Sequence, residues 1–375
     1  MVRFMKKKKV VISGVNMVDS GILSIYLEIA KALSKRKDVK LVCLVNNKEI
    51  FLNVPLNNVK FIEYPNVKKK WINRLYFEYV TSFYISKKLK PDVWICLHDI
   101  TANVSAPKRF VYCHNPSPFY KAKASDYRLD KKFYLFSKFY KYLYRINITK
   151  NTSVIVQQSW IATKFSEWFK IDNIIVSKPE SDEKFDLISQ PRLIRKPVKL
   201  IYPAFPRVFK NIELLIDTLF YLKENHLSYY NDLEVLLTFQ EGTSLYGDEM
   251  INKVKQLDLG NIKFCGFLDR NIIYEMYKND ADALIFPSKL ETWGLPISEA
   301  KMFNLPIMVA DFEYSQETIG DYPFAVYFKN NTIELAQIIM KFIDGQMDFA
   351  QPKNIVTHWK KSNTYDELVT HMIDS

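Results

Sequence analysis

Short apolar runs alternate with longer segments of helical periodicity along the whole chain. Runs of this kind, bounded by polar residues, are typical of buried strands in parallel sheets that helices cover. In the first half the predicted strands are Lys9–Val15, Val39–Asn46, Val59–Tyr64, Asp92–His98, Arg109–His114 and Ser153–Gln157. In the second half they are Val198–Tyr202, Leu233–Phe239, Asn261–Phe267, Ala283–Pro287, Pro306–Ala310 and Ala325–Phe328.

The pattern is interrupted once, by a polar segment at 177–196 that contains two prolines and shows no clean period. We interpret it as a linker between an N-terminal domain, 1–180, and a C-terminal domain, 197–355. A last helical segment, 356–375, is predicted to rejoin the first domain. The fold class is therefore α/β, with two Rossmann-like doubly wound domains that face a central cleft, where ligands of such sheets bind.

Composition agrees with a globular protein of two domains, since 375 residues exceed what one core usually supports. The four cysteines lie in apolar runs without metal-site spacing, and we expect buried free thiols in a reducing cytoplasm. The apolar run after Lys6–Lys9 is too short for a signal peptide, and no stretch reaches the roughly 20 apolar residues that span a bilayer. A cytoplasmic protein, peripheral at the inner face of the plasma membrane at most, is expected.

Charge is distributed unevenly between the halves. Residues 1–180 carry 33 Lys/Arg against 13 Asp/Glu, and the remaining residues carry 20 against 28, so that a half of +20 precedes a half of −8. A uniformly basic chain would favour a nucleic-acid-binding protein. This asymmetry instead favours a protein whose basic half contacts an anionic surface.

The strongest local motif is FPSKLETWGLPISEA, which runs from Phe286 to Ala300. A buried strand enters a loop with Gly294, and Pro296 occupies the expected first turn of a helix, where its missing N–H costs nothing. Such a helix N-terminus offers free backbone amides to a phosphate. Glu291 and Glu299 lie eight residues apart and suit two separate hydrogen-bonding tasks better than one metal site. Ordinary capping acids on a strand–loop–helix remain the alternative.

This motif resembles the signature of retaining glycosyltransferase family 4, which has the GT-B fold. Two glutamates separated by seven residues stand there in the setting P-S-x-x-E-x-x-G-x-P-x-x-E-A, which matches Pro287, Ser288, Glu291, Gly294, Pro296, Glu299 and Ala300. The segments IYPAFPRVFKNIELLID and KFCGFL, and Gln316–Thr318 followed by Gly320–Asp321, also fit the family. The resemblance is dense in the second half and thin in the first.

The resemblance implies a role for each matching residue. Lys210, with Arg207, would neutralise the diphosphate of the donor, Glu299 would bind the ribose, and Glu291 would hold the transferred sugar. Fixed cations suit a leaving group that gains charge, although Arg207 could also be a solvated loop charge. The remaining donor-binding residues that it implies are Ser288, Thr292, Trp293, Gly294 and Leu295 near phosphates and sugar, with Gly266 and Phe267 near the base.

In the first half, three strand ends carry candidate residues. Gly14, at the end of the first strand, is compatible with backbone approach to the donor, although the family loop is richer in glycine, and Gly21 is interpreted as a structural turn. His114 ends a buried strand in HNPSP and matches a family histidine that reaches the donor sugar, with a core histidine as the alternative. His98 and Asp99 end the preceding strand and are weaker candidates for binding the acceptor hydroxyl.

The segment Lys131–Ile146 interleaves bases and aromatics. On a helix, one side would carry lysines and Arg145 while another would carry Phe133, Phe136, Tyr140 and Leu143. Most such helices merely face a core, but contact with anionic lipid or a phosphate-bearing acceptor is the alternative that the basic half favours.

The implied reaction is retaining transfer of a sugar from a nucleotide sugar, UDP- or GDP-linked, to a saccharide or lipid-linked acceptor in surface polysaccharide or glycoconjugate synthesis. The family needs no protein nucleophile, so catalysis would be positioning and charge stabilisation. No cofactor and no metal are expected, and Asp280-Ala281-Asp282 is interpreted as surface. The alternatives are a sugar-nucleotide epimerase of similar fold and a basic nucleic-acid-binding protein, for which no recognition motif is present.

Overall fold

The structure is a computed structural model that describes residues 7–18, 20–51, 54–56, 58–179, 195–351, 355 and 357–374. Its strands are β1 Lys8–Ser13, β2 Val39–Val45, β3 Val59–Glu63, β4 Val93–Cys96, β5 Lys108–Cys113, β6 Ser153–Val156, β7 Ile174–Ser177, β8 Val198–Tyr202, β9 Leu233–Leu237, β10 Ile262–Phe264, β11 Ala283–Phe286, β12 Ile307–Ala310, β13 Ala325–Phe328 and β14 Lys360–Ser362.

Helices separate nearly all of these strands. They are α1 Ser20–Lys35, α2 Trp71–Tyr76, α3 Ser82–Leu89, α4 Ala124–Leu129, α5 Lys131–Arg145, α6 Ser159–Phe169, α7 Ile212–Asn225, α8 Leu227–Asn231, α9 Leu245–Gln256, α10 Arg270–Glu275, α11 Leu295–Met302, α12 Glu313–Ile319, α13 Thr332–Ile343 and α14 Tyr365–Asp374. None of the helices in the described part of the chain is long and apolar enough to cross a membrane.

The chain divides into two compact units. Unit 1 comprises Met1–Asn115, Phe139–Glu180 and Thr357–Ser375, and unit 2 comprises Pro116–Lys138 and Ser181–Val356. Residues 116–138, inside the predicted first domain, thus group with unit 2. Most of the predicted linker, 180–194, lies outside the described residues, and its residue Ser177 ends β7.

Unit 1 is built on an eight-stranded parallel sheet in the order β14-β7-β6-β5-β4-β1-β2-β3. The order reverses between β1 and β4, which makes this the switch point of a doubly wound sheet. Its strands β4 and β7 are buried at every residue, and β1 and β5 are buried after their first two residues, as is typical of a parallel sheet with both faces covered. The sequence pattern missed β7, which is short, and β14, which lies at the edge and exposes Lys360 and Lys361.

The C-terminal helix α14 belongs to unit 1. It packs against α1, and Leu368, Met372 and Ile373 are fully buried in the core of that unit. Arg36, after α1, donates two hydrogen bonds of 2.8 Å to Asp374. The last residues of the chain therefore complete the sheet and the core of unit 1.

Unit 2 is built on a six-stranded parallel sheet in the order β10-β9-β8-β11-β12-β13. Here the order reverses between β8 and β11, so the loops after these two strands leave the same edge of the sheet side by side. All six predicted strands are present, shortened at some ends. The two doubly wound sheets confirm the predicted α/β fold class.

Candidate active site

The loop after β11 turns into helix α11 through Gly294. Gly294 has φ +82° and ψ +62°, the left-handed conformation that a side chain rarely adopts, and a Cβ there would lie 3.2 Å from Cδ1 of Ile297. Pro296 follows in the first turn of α11, as predicted. Pro296 has no N–H, and the Ile297 amide donates to the Gly294 carbonyl at 2.9 Å. The backbone donors for an anion are therefore the amides of Thr292 to Leu295, in the loop and at the first residue of the helix.

Buried hydrogen bonds hold this loop in one conformation. The Ser288 hydroxyl is fully buried 2.6 Å from the Tyr202 hydroxyl, and the Ser288 carbonyl accepts from Tyr314 at 2.8 Å. The Trp293 indole donates to Ser298 at 2.9 Å, and the Trp293 carbonyl accepts from Thr318. Ser288 and Trp293, predicted to bind the donor, thus direct their side chains into the protein and support the loop.

Glu291 and Lys210 come together from the two loops at the switch point. Lys210 Nζ lies 2.5 Å from Glu291 Oε1, and each side chain is only 14% exposed. Lys210 ends a 3-10 turn, Val208–Lys210, that follows β8. The next residue, Asn211, lies in the left-handed region and donates from its buried amide to the Pro287 carbonyl at 3.0 Å. Asn211, which the sequence analysis did not single out, therefore ties the two loops together.

Arg207, the second predicted cation, is engaged by a carboxylate. Its Nε and Nη2 donate to the two oxygens of Asp130 at 2.7 and 3.1 Å, in the bidentate geometry of a strong pair. Its guanidinium also lies 5.5 Å from the ring centroid of Phe133. Arg207 is therefore held by Asp130, which lies between α4 and α5. No local sequence pattern predicted this pair, because the two residues are far apart along the chain.

Glu299 is largely buried on α11 and accepts a 3.0 Å hydrogen bond from Arg270 Nε. Burial raises the pKa of this carboxyl, and Arg270 opposes part of that effect. Arg270, at the start of α10, was not among the predicted site residues. Its position a few residues after Gly266 and Phe267, which were predicted to border the base, was a sequence signal that could have identified it. A basic residue beside Glu299 keeps a hydrogen-bonding carboxylate in place.

The residues predicted to surround the base and sugar differ in exposure. Gly266 has φ +73°, and a Cβ there would lie 2.9 Å from Oε1 of Gln240. The Phe267 side chain is 85% exposed, and Leu295 is 37% exposed. Thr292 is half-buried. Phe267 and Leu295 thus leave apolar surface uncovered in unit 2.

In unit 1 the strand ends of β4 and β5 carry a buried polar cluster. His114 follows β5, with Nδ1 3.1 Å from the Gln157 side-chain amide and its ring 4.2 Å from that of Tyr112. Its Nε2 is buried and has no hydrogen-bond partner among the described residues. Burial lowers the pKa of this histidine, so that the neutral ring is favoured. An unpartnered polar atom at a strand end is what a ligand-contacting histidine requires.

Both carboxylate oxygens of Asp99 accept hydrogen bonds within unit 1. Asp99 holds φ +74°, and its Oδ1 accepts from the amides of His114 and Asn115 at 2.6 and 3.0 Å. The hydroxyls of Tyr144 and Tyr140 on α5 donate to Oδ1 and Oδ2, each at 3.1 Å. Three of these donors lie on Oδ1 and one lies on Oδ2, so the carboxylate holds the His114 segment in place. That Asp99 also touches the acceptor stays a prediction.

His98 is equally enclosed. Its Nδ1 lies 3.0 Å from Nη2 of Arg74, which also donates to the His98 carbonyl at 2.5 Å. Its Nε2 lies 3.3 Å from a Glu78 oxygen, at ion-pair distance but without hydrogen-bond geometry. Burial and the Arg74 charge hold the pKa of His98 well below its usual value. His98 is 3% exposed and His114 is 6% exposed, so both rings are enclosed to a similar degree. That His98 binds the acceptor hydroxyl stays a prediction.

Gly14, at the end of β1, is explained by packing. A Cβ at this position would lie 2.2 Å from the ring of Tyr26 on α1, too close for any side chain. Gly14 therefore lets α1 approach the sheet, which is a sufficient reason for the glycine without a donor. Gly21 lies in the first turn of α1 rather than in the turn that precedes it.

Two further predictions concern metal and thiols. Asp282, interpreted as surface, is buried, and its carboxylate accepts the Lys199 amide at 2.8 Å, whereas Asp280 is exposed. Within the described ranges, no group of three or more His, Cys, Asp or Glu residues is arranged to hold a metal ion. Three cysteines are buried free thiols, as expected, and Cys265 is half-buried.

Comparisons with known proteins agree with this architecture. Residues 185–361, just under half of the chain, match the model of the family described as glycosyl transferases group 1. No curated protein sequence matches the chain.

Solved structures with similar folds cover nearly the whole chain. The sucrose-phosphate synthase of Thermosynechococcus elongatus has a TM-score of 0.63 at 13% identity, over 91% of this chain and 90% of its own. The lipopolysaccharide outer core galactosyltransferase WaaB gives 0.62 at 13%, over 98% and 94%. HepE of Anabaena, solved with UDP-glucose, gives 0.60 at 13%, over 97% and 95%. The chain therefore has the GT-B fold of glycosyltransferases, and its C-terminal half matches glycosyl transferases group 1.

Proposed function

We propose that this protein is a retaining glycosyltransferase that moves a sugar from a nucleotide diphosphate to a saccharide or lipid-linked acceptor. The observation that carries the proposal is the Lys210–Glu291 pair, which joins the two switch-point loops of unit 2 beside the start of α11. A cation, a carboxylate and the amides of Thr292 to Leu295 in one place match the phosphate and hydroxyl groups of a nucleotide sugar. The family match over the same residues supports this function.

Each residue proposed to bind the nucleotide sugar suits a different group of that molecule. Lys210 would neutralise the diphosphate, and Arg207 would assist, since a leaving group that gains charge is stabilised by fixed cations. Glu291, released from Lys210 by the incoming phosphate, would accept hydroxyls of the transferred sugar. Glu299, oriented by Arg270, would accept the ribose hydroxyls. Two structures with a similar fold are of HepE, one with UDP and glucose and one with UDP-glucose, which favours UDP-sugars as the first donors to test.

The remaining donor and catalytic residues have supporting parts in this proposal. The backbone from Thr292 to Leu295 would approach phosphates and sugar, and Gly266 and Phe267 would border the base. His114, with its buried and unpartnered Nε2, would reach the donor sugar. The reaction is a front-face substitution in which the departing phosphate accepts the acceptor's proton, so no protein nucleophile is required.

The partners follow from charge. A first half of +20 favours an anionic membrane surface and a lipid-linked acceptor, with the protein peripheral at the inner face of the plasma membrane. Synthesis of surface polysaccharide or another glycoconjugate is the process that such an acceptor serves.

Substitution of the two glutamates tests the assignment. Glu299→Ala should weaken binding of UDP by about tenfold or more, because a buried carboxylate that accepts ribose hydroxyls is lost. Glu291→Ala should instead lower turnover with little effect on free UDP. Calorimetric titration and transfer rates measure the two effects. Glu299→Ala with wild-type affinity for every nucleoside diphosphate would refute the ribose assignment.

We also propose that transfer needs no metal, because Lys210, Arg207 and the amides of Thr292 to Leu295 would supply positive charge at the diphosphate. Transfer should persist in excess chelator at near the untreated rate. A complete loss of transfer that returns on addition of Mg²⁺ or Mn²⁺ would refute this, and a metal-dependent glycosyltransferase treated in parallel controls for the chelator.

A further inference from the structure

Helix α5 turns an apolar stripe toward solvent. The side chains of Phe139 and Tyr142 are 60% and 62% exposed, and Ile146, directly after the helix, is 41% exposed. One turn earlier on the same helix, Leu135 is 38% exposed. The spacings of four, three and four residues place these side chains in one row along the helix. Large apolar side chains rarely line the outer face of a surface helix without a partner.

The opposite face of α5 already forms the core contact. Tyr140 and Tyr144 are 2% and 1% exposed and bond to the buried Asp99 carboxylate. The stripe is therefore not the core face of an ordinary amphipathic helix. The sequence analysis assigned Phe133 and Tyr140 to the apolar side, and both are buried. The aromatics that remain outside are a different set.

Basic residues border the stripe. Lys138 and Arg145 are exposed on one side of it, and Lys132 is exposed one turn before Phe136. Lys141 stacks over the ring of Trp168, with Nζ 4.2 Å from the centroid. In the described part of α5 there is no acidic residue to neutralise these cations. An apolar centre with a cationic border is the surface that inserts between anionic headgroups.

Helix α2, which contacts α5, also combines exposed apolar side chains with nearby lysines. The Trp71 ring, at the start of α2, meets the Tyr140 ring edge-on with centroids 6.2 Å apart. On α2, Ile72 and Tyr76 are 67% and 61% exposed. The exposed lysines 68–70 immediately precede the helix.

We infer that the outer face of α5, centred on Phe139 and Tyr142, is the surface by which the protein docks on an anionic lipid bilayer. The inference deepens the membrane partner of the proposed function and rests on that part of it. The charge of this surface favours a bilayer over a second copy of the chain. A second copy would bring its own Lys138 and Arg145 against the same cations, whereas anionic headgroups complement them. Tyr and Phe suit the interface because their rings bury apolar area at headgroup depth.

The same helix links this surface to His114. Tyr140 and Tyr144 reach from its inner face to Asp99, and Asp99 holds the amides of His114 and Asn115. The Tyr144 hydroxyl also lies 2.9 Å from the Asn115 carbonyl, so its one proton is shared between this oxygen and Asp99. Docking on the outer face of α5 therefore stabilises the helix that orders the His114 segment.

Vesicle co-sedimentation of the full chain tests the inference. The probe is vesicles of phosphatidylglycerol and phosphatidylcholine in equal parts, with pure phosphatidylcholine vesicles as the neutral control. Wild type should pellet with the anionic vesicles at low salt and be released as salt screens the charge. The variants Phe139→Ser/Tyr142→Ser and Lys138→Gln/Arg145→Gln should each bind about tenfold or more weakly.

A matched control is available in unit 2. Leu227 and Leu245 are 58% and 67% exposed in the acidic half, so Leu227→Ser/Leu245→Ser removes similar apolar surface elsewhere and should bind like wild type. Thermal unfolding confirms that each variant is folded, because exposed positions should leave the melting temperature nearly unchanged.

Each failure has a separate meaning. Wild type that stays in the supernatant overturns the membrane partner as well as this surface. Wild type that pellets while the Phe139/Tyr142 variant binds equally well overturns this surface alone. A dimer in gel filtration that only the Phe139/Tyr142 variant dissociates makes a second copy the occupant and overturns the inference. UDP-sugar binding and transfer to a soluble acceptor test the catalytic proposal independently of all three.

Discussion

At the scale of single residues, Asp99 and Glu78 show two ways of burying a carboxylate. Asp99 accepts hydrogen bonds at both oxygens, from two backbone amides and two tyrosine hydroxyls. Glu78 is fully buried and neither oxygen has a hydrogen-bond partner among the described residues, although Arg74 and His98 lie nearby. Burial raises the pKa of Glu78 to about 8, against the partly compensating charge of Arg74. Glu78 is thus held as a neutral acid at moderate pH.

This raised pKa predicts how stability depends on pH. The folded state binds a proton at Glu78 more tightly than the unfolded state. The stability that this proton binding contributes is therefore fully present below the unfolded pKa of 4.5 and is lost as pH rises toward about 8. Glu78→Gln removes this titration. As pH rises from about 5 to about 8, the free energy of unfolding of Glu78→Gln should increase relative to that of wild type by on the order of a few kcal/mol.

Urea unfolding at the two pH values measures the difference. The exposed Glu167→Gln on α6 serves as the control and should follow wild type at both. Parallel pH profiles for wild type and Glu78→Gln would show that Glu78 is ionised in the fold, and the interpretation would fail.

At the scale of elements, the strand–loop–helix from β11 to α11 is organised by one residue. Gly294 combines a left-handed backbone with a contact that a Cβ would make with Ile297. Two separate costs therefore oppose any side chain there. Because the amides of Thr292 to Leu295 lie in this turn and Glu299 follows it, its conformation sets the position of the proposed phosphate and ribose contacts.

Gly294→Ala should reduce both stability and UDP affinity. The left-handed backbone alone costs an alanine about 1–2 kcal/mol, and displacement of Ile297 adds to it. Gly345→Ala is the matched control, since Gly345 has φ +68° but nothing within 4 Å of a Cβ. It should show the backbone cost in urea unfolding and leave UDP binding intact. Equal losses in the two variants would mean that the Ile297 contact contributes nothing.

At the scale of the whole molecule, the two units depend differently on the end of the chain. Residues 357–374 add β14 to the sheet of unit 1 and bury Leu368, Val369 and Met372 in its core. Burial of each such side chain contributes about 1.5–3 kcal/mol. The far C-terminus is thus a structural part of the unit that begins the chain.

Deletion of residues 357–375 should therefore unfold unit 1 and spare unit 2. The free energy lost with several buried side chains and the β14 pairing is comparable to the usual stability of a domain, about 5–15 kcal/mol. Calorimetry should show the wild-type transition of unit 2 and no cooperative transition of unit 1, and hydrogen exchange should show protection only in β8–β13. Full protection of β1 and β2 in the truncated chain would contradict this, and the single variant Leu368→Ala should give an intermediate loss.

The sequence by itself determined the alternation of strands and helices, because buried parallel strands are continuous apolar runs that need no tertiary information to recognise. It also determined the turn at Gly294 and Pro296 and the glutamates around it, since helix-start chemistry is local. It missed β14, an edge strand whose lysines face solvent, because no apolar run marks such a strand.

Only the tertiary structure decided what each candidate side chain touches. Asp130, far from Arg207 in sequence, binds its guanidinium, and Tyr140 and Tyr144 occupy the Asp99 carboxylate. The tertiary structure also decided which aromatics of α5 lie inside, because two apolar rows on one helix are equivalent until the core is packed against one of them. Partners distant along the chain leave no periodic or local trace, so the pairing of charges and the choice of face were beyond the sequence pattern.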